Sequence, residues 1–88
     1  MRGRDLVALN LRRIRVAHGV SQERLAFDAG VDRAYLGGLE RSEENPTVDL
    51  LDRLAATLSV PIADFFVMRQ HGEEDPKSLP RGRKRKQS

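Results

Sequence analysis

The sequence contains no cysteine, no tryptophan and only two histidines among its 88 residues. Without cysteine the chain can form neither a disulfide nor a thiolate metal site, and His18 and His71 lie far apart with no ligand-like spacing. A chain this short buries a modest core and often depends on a metal, a disulfide or a partner for additional stability. The composition therefore favours a partner subunit as the source of that stability.

Long apolar runs are also missing. No stretch approaches the ~20 residues that cross a bilayer, and charged and polar residues interrupt the N-terminal segment too early for a signal peptide. We therefore expect a soluble, cytoplasmic protein. Ser21 has no matching base, and the chain has no paired histidines and no glycine-rich phosphate loop, so we expect no enzymatic activity, no cofactor and no metal.

The net charge of +3 conceals an asymmetry along the chain. Residues 1–76 carry ten basic and thirteen acidic side chains, whereas residues 77–88 carry six basic side chains and no acidic one. A basic end suits a polyanion such as nucleic acid. An ordinary solvated surface is the alternative, and charge alone does not decide between them. The N-terminal part of the chain adds further basic residues, namely Arg2, Arg4, Arg12, Arg13 and Arg15.

Apolar spacing predicts helices along most of the chain. Val7, Leu11 and Ile14 recur at i, i+4 and i+7, which is the spacing of one helical face. The same reasoning gives five helices and no strand, an all-α class, with helices over about 6–17, 21–28, 32–41, 48–58 and 61–68. We expect four polar residues to cap the first four helices, namely Asp5, Ser21, Asp32 and Thr47. The fifth helix is apolar nearly all round, which is more than one small core needs.

Residues 21–41, SQERLAFDAGVDRAYLGGLER, form the centre of this pattern. Ser21 caps a short helix, Gly30 can take the positive φ that ends it, and Asp32 caps the next helix. Two helices joined by a glycine-containing turn make a helix-turn-helix, whose second helix can enter a DNA major groove.

Residues 5 to about 66 resemble the Cro and lambda-repressor-like helix-turn-helix domains, also called the xenobiotic-response-element family of bacterial and phage regulators. The resemblance covers about three-quarters of the chain. It implies a five-helix lambda-repressor-like DNA-binding domain over residues 1–69, whose last helix dimerises. Composition predicts a disordered, flexible charged tail over residues 70–88, because little there can be buried. The residues that carry the resemblance are Ser21-Gln22, Leu25-Ala26, Ala29-Gly30-Val31, Glu40-Arg41, Asn45-Pro46 and Val60-Pro61 with Phe65.

The resemblance assigns DNA contacts to the start of both motif helices. Gln22 matches a residue that contacts a phosphate and braces a base-reading side chain in relatives. Asp32, Arg33, Ala34 and Tyr35 begin the helix that meets base edges. Arg33 can pair bidentately with guanine, or else contact a phosphate. Tyr35 contacts the sugar-phosphate edge or packs on the protein, and Asp32 caps the helix or accepts from a cytosine amino group.

Gly37 and Gly38 are unusual because relatives often have serine at position 37. Two bare positions on the face expected to meet DNA allow close backbone approach and leave specificity to Arg33 and DNA shape; neutral drift is the alternative. Ser42 stands where relatives usually have glycine. A left-handed serine is strained, so we expect this turn to differ from that of the family.

The resemblance also implies a structural ion pair between Arg12 and Glu40, and phosphate contacts from Arg41 and Asn45. Arg13 and Arg15 face either phosphates or solvent. Phe27, usually polar in relatives, covers a hydrophobic edge, contacts a partner or is simply exposed. The predicted dimer interface consists of Phe65, Phe66, Val67 and Met68.

Together these features predict a sequence-specific, double-stranded DNA-binding transcriptional regulator. We expect a cytoplasmic, nucleoid-associated repressor-like homodimer that reads a pseudo-palindromic operator through the helix over residues 32–41. The alternative is an antitoxin or co-regulator that mainly binds another protein through the fifth helix or the tail, and an additional protein partner is left open in either case. The basic residues 77–88 add phosphate contacts or are only solvated.

Overall fold

The computed structural model describes residues 2–68, which form four α-helices and one 3₁₀ helix. No strand occurs within these residues, so the predicted all-α class is confirmed. None of the helices in this range is long and apolar enough to span a bilayer. The predicted charged tail, residues 70–88, lies outside the described residues. The helices are α1 (Gly3–Ala17), α2 (Gln22–Ala29), α3 (Arg33–Glu40), α4 (Val48–Leu58) and the 3₁₀ helix Ile62–Phe66.

Three of the predicted caps are present. Each side-chain oxygen accepts a hydrogen bond of 3.0 Å from the backbone N–H three residues further on, which satisfies one of the donors left free in a first helical turn. Local chemistry therefore sets the starts of α2, α3 and α4. The capping residues are Ser21, Asp32 and Thr47.

The fourth predicted cap is wrong, because α1 begins at Gly3 with Arg2 as its N-cap. Asp5 lies instead in the first turn of the helix, as its third residue. Its Oδ2 accepts from the backbone N–H of Arg2 at 3.3 Å, which is the role of the acidic residue in a capping box. An acidic residue near a helix start is compatible with either position, so the sequence alone did not distinguish them.

The four α-helices of residues 2–68 end in the same way, each followed by a residue with positive φ. Two of these residues are glycines, and the other two are Ser42 at +67° and Ser59 at +59°. After α3, the N–H of Ser42 donates to the Leu39 carbonyl and that of Glu43 to the Gly38 carbonyl, which is the Schellman pattern. The expectation that this turn differs from a glycine-ended one is therefore wrong.

Ser42 accepts the left-handed conformation because other contacts offset its strain. A non-glycine residue there costs about 1–2 kcal/mol. The Ser42 hydroxyl donates to Oδ1 of Asp5, which ties the end of α3 to the start of α1. This hydrogen bond, followed by those from Arg2, lowers the pKa of Asp5 below its usual value. The contact that Ser42 makes is one that glycine could not make.

The core lies between the four helices and the 3₁₀ helix. Phe65 is completely buried in it, so its predicted place in a dimer interface is wrong. Phe66, Val67 and Met68 are exposed. The other large side chains that are at most 1% exposed are Leu11, Leu25, Leu36, Leu39 and Leu54.

The predicted fifth α-helix, residues 61–68, is a 3₁₀ helix of five residues followed by extended backbone. Asn10 explains how this shorter element is tolerated. Its side chain is buried, and Nδ2 donates to the carbonyls of Phe65 and Val67, both at 2.9 Å. The Asn10 amide thus supplies a hydrogen-bond partner for two backbone carbonyls at the end of this element. The polar Asn10 beside the apolar stripe of α1 was a signal for this role, and sequence reasoning missed it.

Candidate nucleic-acid interface

The turn between α2 and α3 consists of three residues and fixes how the two helices meet. Gly30 ends α2 with φ +70°, Val31 is half-buried against the core, and Asp32 caps α3. The apolar faces of both helices pack into the core, since Leu25, Ala26 and Ala29 of α2 are buried. In α3, Leu36 and Leu39 are buried. The first turn of α3 is consequently left at the surface.

The predicted base-reading residues lie in this first turn. Arg33 and Ala34 are exposed and Tyr35 is half-buried. Asp32 is the N-cap of α3, because its Oδ2 accepts a hydrogen bond from the Tyr35 N–H. An exposed arginine at the start of a well-capped helix can reach a ligand without loss of core packing.

A buried ionic network holds the two helices against α1. The Arg15 guanidinium donates to both carboxylate oxygens of Glu40, from Nε at 2.6 Å and from Nη2 at 3.0 Å. Arg15 Nη1 also donates to the Val20 carbonyl at 2.8 Å. The side chain of Glu40 is only 2% exposed. The hydrogen bond to Glu40 raises the pKa of Arg15 above its usual value.

The predicted pair between Arg12 and Glu40 is therefore wrong, and Arg15 takes the place of Arg12. Arg12 lies on the same helix three residues earlier and is exposed. Arg13 is also accounted for, since its Nη2 donates to Oδ1 of Asn10 at 3.0 Å. The arginine that reaches Glu40 depends on how α1 packs on α3, which the local sequence does not specify.

Gln22 belongs to the same network. Its Nε2 donates to Oε1 of Glu40 at 3.0 Å. A carboxylate can only accept a hydrogen bond, so the amide nitrogen of Gln22 must face Glu40. The amide oxygen of Gln22, Oε1, therefore points away from Glu40. The network thus fixes the orientation of a side chain for which the sequence predicts a DNA contact.

Arg41, a predicted phosphate contact, is paired with a neighbouring acid. Its Nε and Nη2 each lie 3.1 Å from an oxygen of Glu43, and both side chains are more than half exposed. This contact lowers the pKa of Glu43 and raises that of Arg41. An exposed pair of this kind is weak, so an anionic ligand can compete with Glu43 for Arg41. Asn45 is exposed in the same loop.

The two glycines of α3 are both buried and have different neighbours. A Cβ on Gly38 would lie 3.0 Å from Oε2 of Glu44, so the loop side chain covers this position. A Cβ on Gly37 would lie 3.3 Å from Nη1 of Arg41 and 3.6 Å from Oε1 of Gln22. The prediction that both glycines leave bare backbone for DNA to approach is therefore wrong, since side chains of the protein itself cover them.

The structure brings Gln22, Gly37 and Arg41 together and keeps the first turn of α3 accessible on the same helix. Two packed helices, a three-residue turn and an exposed, capped second helix define a helix-turn-helix protein. The family described as helix-turn-helix matches residues 11–65. The chain belongs to this family.

Two similar proteins are described as a transcriptional regulator and a transcription factor. The chain is 41% identical over 60 residues to the HTH-type transcriptional regulator SutR of Escherichia coli. The matched residues cover 68% of this chain and 34% of SutR. It is 40% identical over 57 residues to the Neisseria hypothetical transcription factor of Neisseria meningitidis. This match covers 65% of this chain and 54% of the relative. The chain thus spans about a third and about half of the lengths of these two relatives.

Solved structures agree with the fold. The hypothetical transcription factor NHTF from Neisseria superposes with a TM-score of 0.75 at 32% identity, over 89% of this chain and 86% of that one. The restriction-modification controller protein C.Esp1396I was solved as a tetramer in complex with its natural 35-base-pair operator. It superposes with a TM-score of 0.69 at 32% identity, and the match covers 75% of this chain and 87% of that one.

Proposed function

We propose that this protein is a sequence-specific transcriptional regulator that binds double-stranded DNA as a homodimer. The observation that carries the proposal is the exposed first turn of α3, held in place by the buried contacts of Arg15, Glu40 and Gln22. A helix in this setting can place its N-terminal residues against base edges in a major groove. The operator complex of C.Esp1396I supports the same use of the fold.

Five of the candidate residues receive a role within this proposal. Arg33 reads a guanine from the first turn of α3. Arg41 and Asn45 lie around the end of α3, where they contact the sugar-phosphate backbone, and Gln22 at the N-terminus of α2 presents its amide oxygen to the DNA. Asp32, a carboxylate facing the same region, disfavours misplaced phosphates. Because the ligand is operator DNA, we infer that the protein acts in the cytoplasm, on the nucleoid, without catalysis or a cofactor.

The homodimer interface is proposed to include Phe66, Val67 and Met68. These side chains are 44%, 41% and 73% exposed, and they follow directly after the buried Phe65. A shallow groove of about 220 Å³ lies beside them and includes Val48 and Phe66 in its lining. Exposed apolar surface next to a groove is typical of a site that another chain covers.

A protein-interaction role is the second candidate function. Phe27 on α2 is 78% exposed, although an aromatic side chain gains most when it is buried. Together with the apolar residues 66–68, it gives an antitoxin or co-regulator a surface for another protein. Loss of sequence selection by the purified chain would favour this candidate.

Arg33→Ala tests the assigned base contact. We expect the variant to lose about 1–3 kcal/mol on the selected sequence and to tolerate any base at one position of each half-site. Selection from a randomised duplex library, followed by titration of the winning sequence, measures both effects. Arg12→Ala, which removes an exposed arginine of α1, is the matched control. Equal weakening on every sequence would make Arg33 a phosphate contact.

Glu43→Gln tests whether Arg41 binds phosphate. Removing the carboxylate frees the guanidinium and deletes a negative charge beside the proposed interface, so we expect tighter binding to selected and random duplexes alike. If Arg41 gains one phosphate, the log–log salt slope steepens by about 0.9. Asp28→Asn makes the same charge change by breaking the exposed Arg24–Asp28 pair on α2. An equal slope change in both variants would show that only net charge matters.

A further inference from the structure

Gly37 lies beneath two side chains of the proposed interface, which approach it from different elements. Gln22 comes from the N-terminus of α2 and Arg41 from the end of α3. The Gln22 amide oxygen and the Arg41 guanidinium both lie within 3.6 Å of the place where a Cβ of residue 37 would be. They therefore occupy the space that a side chain would fill.

Both side chains are held from their outer sides. The Gln22 amide donates to the buried carboxylate of Glu40, and the Arg41 guanidinium donates to both oxygens of Glu43. A methyl group at residue 37 would touch the Gln22 oxygen at 3.6 Å and would crowd Arg41 Nη1 at 3.3 Å. The guanidinium would have to move by a few tenths of an ångström, although its Nε and Nη2 are held by Glu43.

We propose that Gly37 is a positioning residue for DNA specificity, and this proposal rests on the proposed function. Without a side chain at residue 37, the Gln22 oxygen and the Arg41 guanidinium lie flat on α3 as an adjacent acceptor and donor. The oxygen can accept from the exocyclic amino group of adenine or cytosine in a major groove. The Arg41 guanidinium faces the DNA phosphate next to that base. The bare backbone of α3 thus serves the protein's own side chains, and DNA meets those side chains rather than the glycine.

Gly38 provides a matched control one residue away. It is buried in the same helix, and the three atoms nearest to a Cβ there all belong to the side chain of Glu44 on the loop. Alanine at either position removes the cost of glycine in a helix interior. Each new methyl group meets the far end of a long side chain, which can move. We therefore expect both Gly37→Ala and Gly38→Ala to fold.

The experiment compares the two variants with the parent chain by three measurements. We expect both to unfold at a Tm at or above that of the parent. We expect the side-chain amide signals of Gln22 in a ¹⁵N correlation spectrum to shift in Gly37→Ala and not in Gly38→Ala. We expect Gly37→Ala to bind the selected duplex about tenfold more weakly, with a smaller change on random duplex, while Gly38→Ala binds like the parent.

The possible results separate this proposal from the proposed function. Parental affinity in Gly37→Ala, or an equal loss in Gly38→Ala, overturns the positioning role while the parent still selects its sequence. An unmoved Gln22 signal overturns it without any DNA. If the parent selects no sequence, the proposed function fails and the specificity role of Gly37 fails with it, whereas the amide signal still decides the packing contact.

Discussion

Arg15→Ala is expected to lower the free energy of unfolding by about 3–5 kcal/mol, because it leaves a buried carboxylate without its charged partner. Glu40 is 2% exposed, and both of its oxygens accept from Arg15. The same substitution removes the Nη1 bond to the Val20 carbonyl. Urea unfolding at neutral pH measures the loss.

Arg12→Ala is the control for this prediction. It removes the same side chain from an exposed position on the same helix, and such changes usually stay within about 0.5 kcal/mol. If the two variants had the same free energy of unfolding, or if Arg12→Ala were the less stable one, the assigned contacts of Glu40 would be contradicted. Replacing Arg15 and Glu40 together with Met and Leu should restore much of the loss, since no buried charge then lacks a partner.

Phe65→Ala is expected to cost about 3–5 kcal/mol, the usual range for deleting a buried phenyl ring. Phe65 is fully buried among side chains of the core, and its backbone carbonyl is held by Asn10. A domain of this size has little stability to spare. Phe65→Leu keeps most of the buried volume and should cost less than about 1.5 kcal/mol, so a folded variant is available for comparison.

Phe66→Ala should act on assembly instead of folding. Phe66 is exposed beside the shallow groove, so the unfolding midpoint at low protein concentration should stay near that of the parent. Sedimentation equilibrium should then show weaker self-association than in the parent. Equal thermal destabilisation by Phe66→Ala and Phe65→Ala in dilute solution would contradict the division between a core ring and an interface ring.

Features fixed by neighbouring residues were predictable from the sequence. Ser21, Asp32 and Thr47 cap their helices as expected, because a cap needs only an oxygen and an N–H three residues away. The turn at Gly30 followed from the conformational freedom of glycine. The same local reasoning placed Arg33 at the exposed start of α3.

Features fixed by contacts between distant residues were not predictable. Arg12 and Arg15 are one helical turn apart, and only the packing of α1 on α3 determines which one reaches Glu40. Apolar residues on all sides of the segment 62–68 predicted a helix, but they did not indicate which of its side chains would be buried and which exposed. The buried Asn10, 55 residues before Phe65, donates to the Phe65 carbonyl, so this element depends on a contact between residues far apart in the chain.

The glycines of α3 were misinterpreted for the same reason. Their position on the helix suggested open backbone, but Glu44 covers Gly38, while Gln22 and Arg41 cover Gly37. Gln22 and Glu44 come from other elements, and Arg41 is the C-cap of α3 itself. A substitution at either glycine therefore reports on the covering side chain as well as on the helix.

Selection from a randomised duplex library with the purified full chain tests DNA reading most directly. We expect enrichment of a two-fold-related sequence whose half-sites are centred about 10 bp apart, since two copies of α3 would enter successive major grooves on one face of the duplex. A library that shows no enriched sequence, with affinity that only follows the salt concentration, would contradict a sequence-specific regulator.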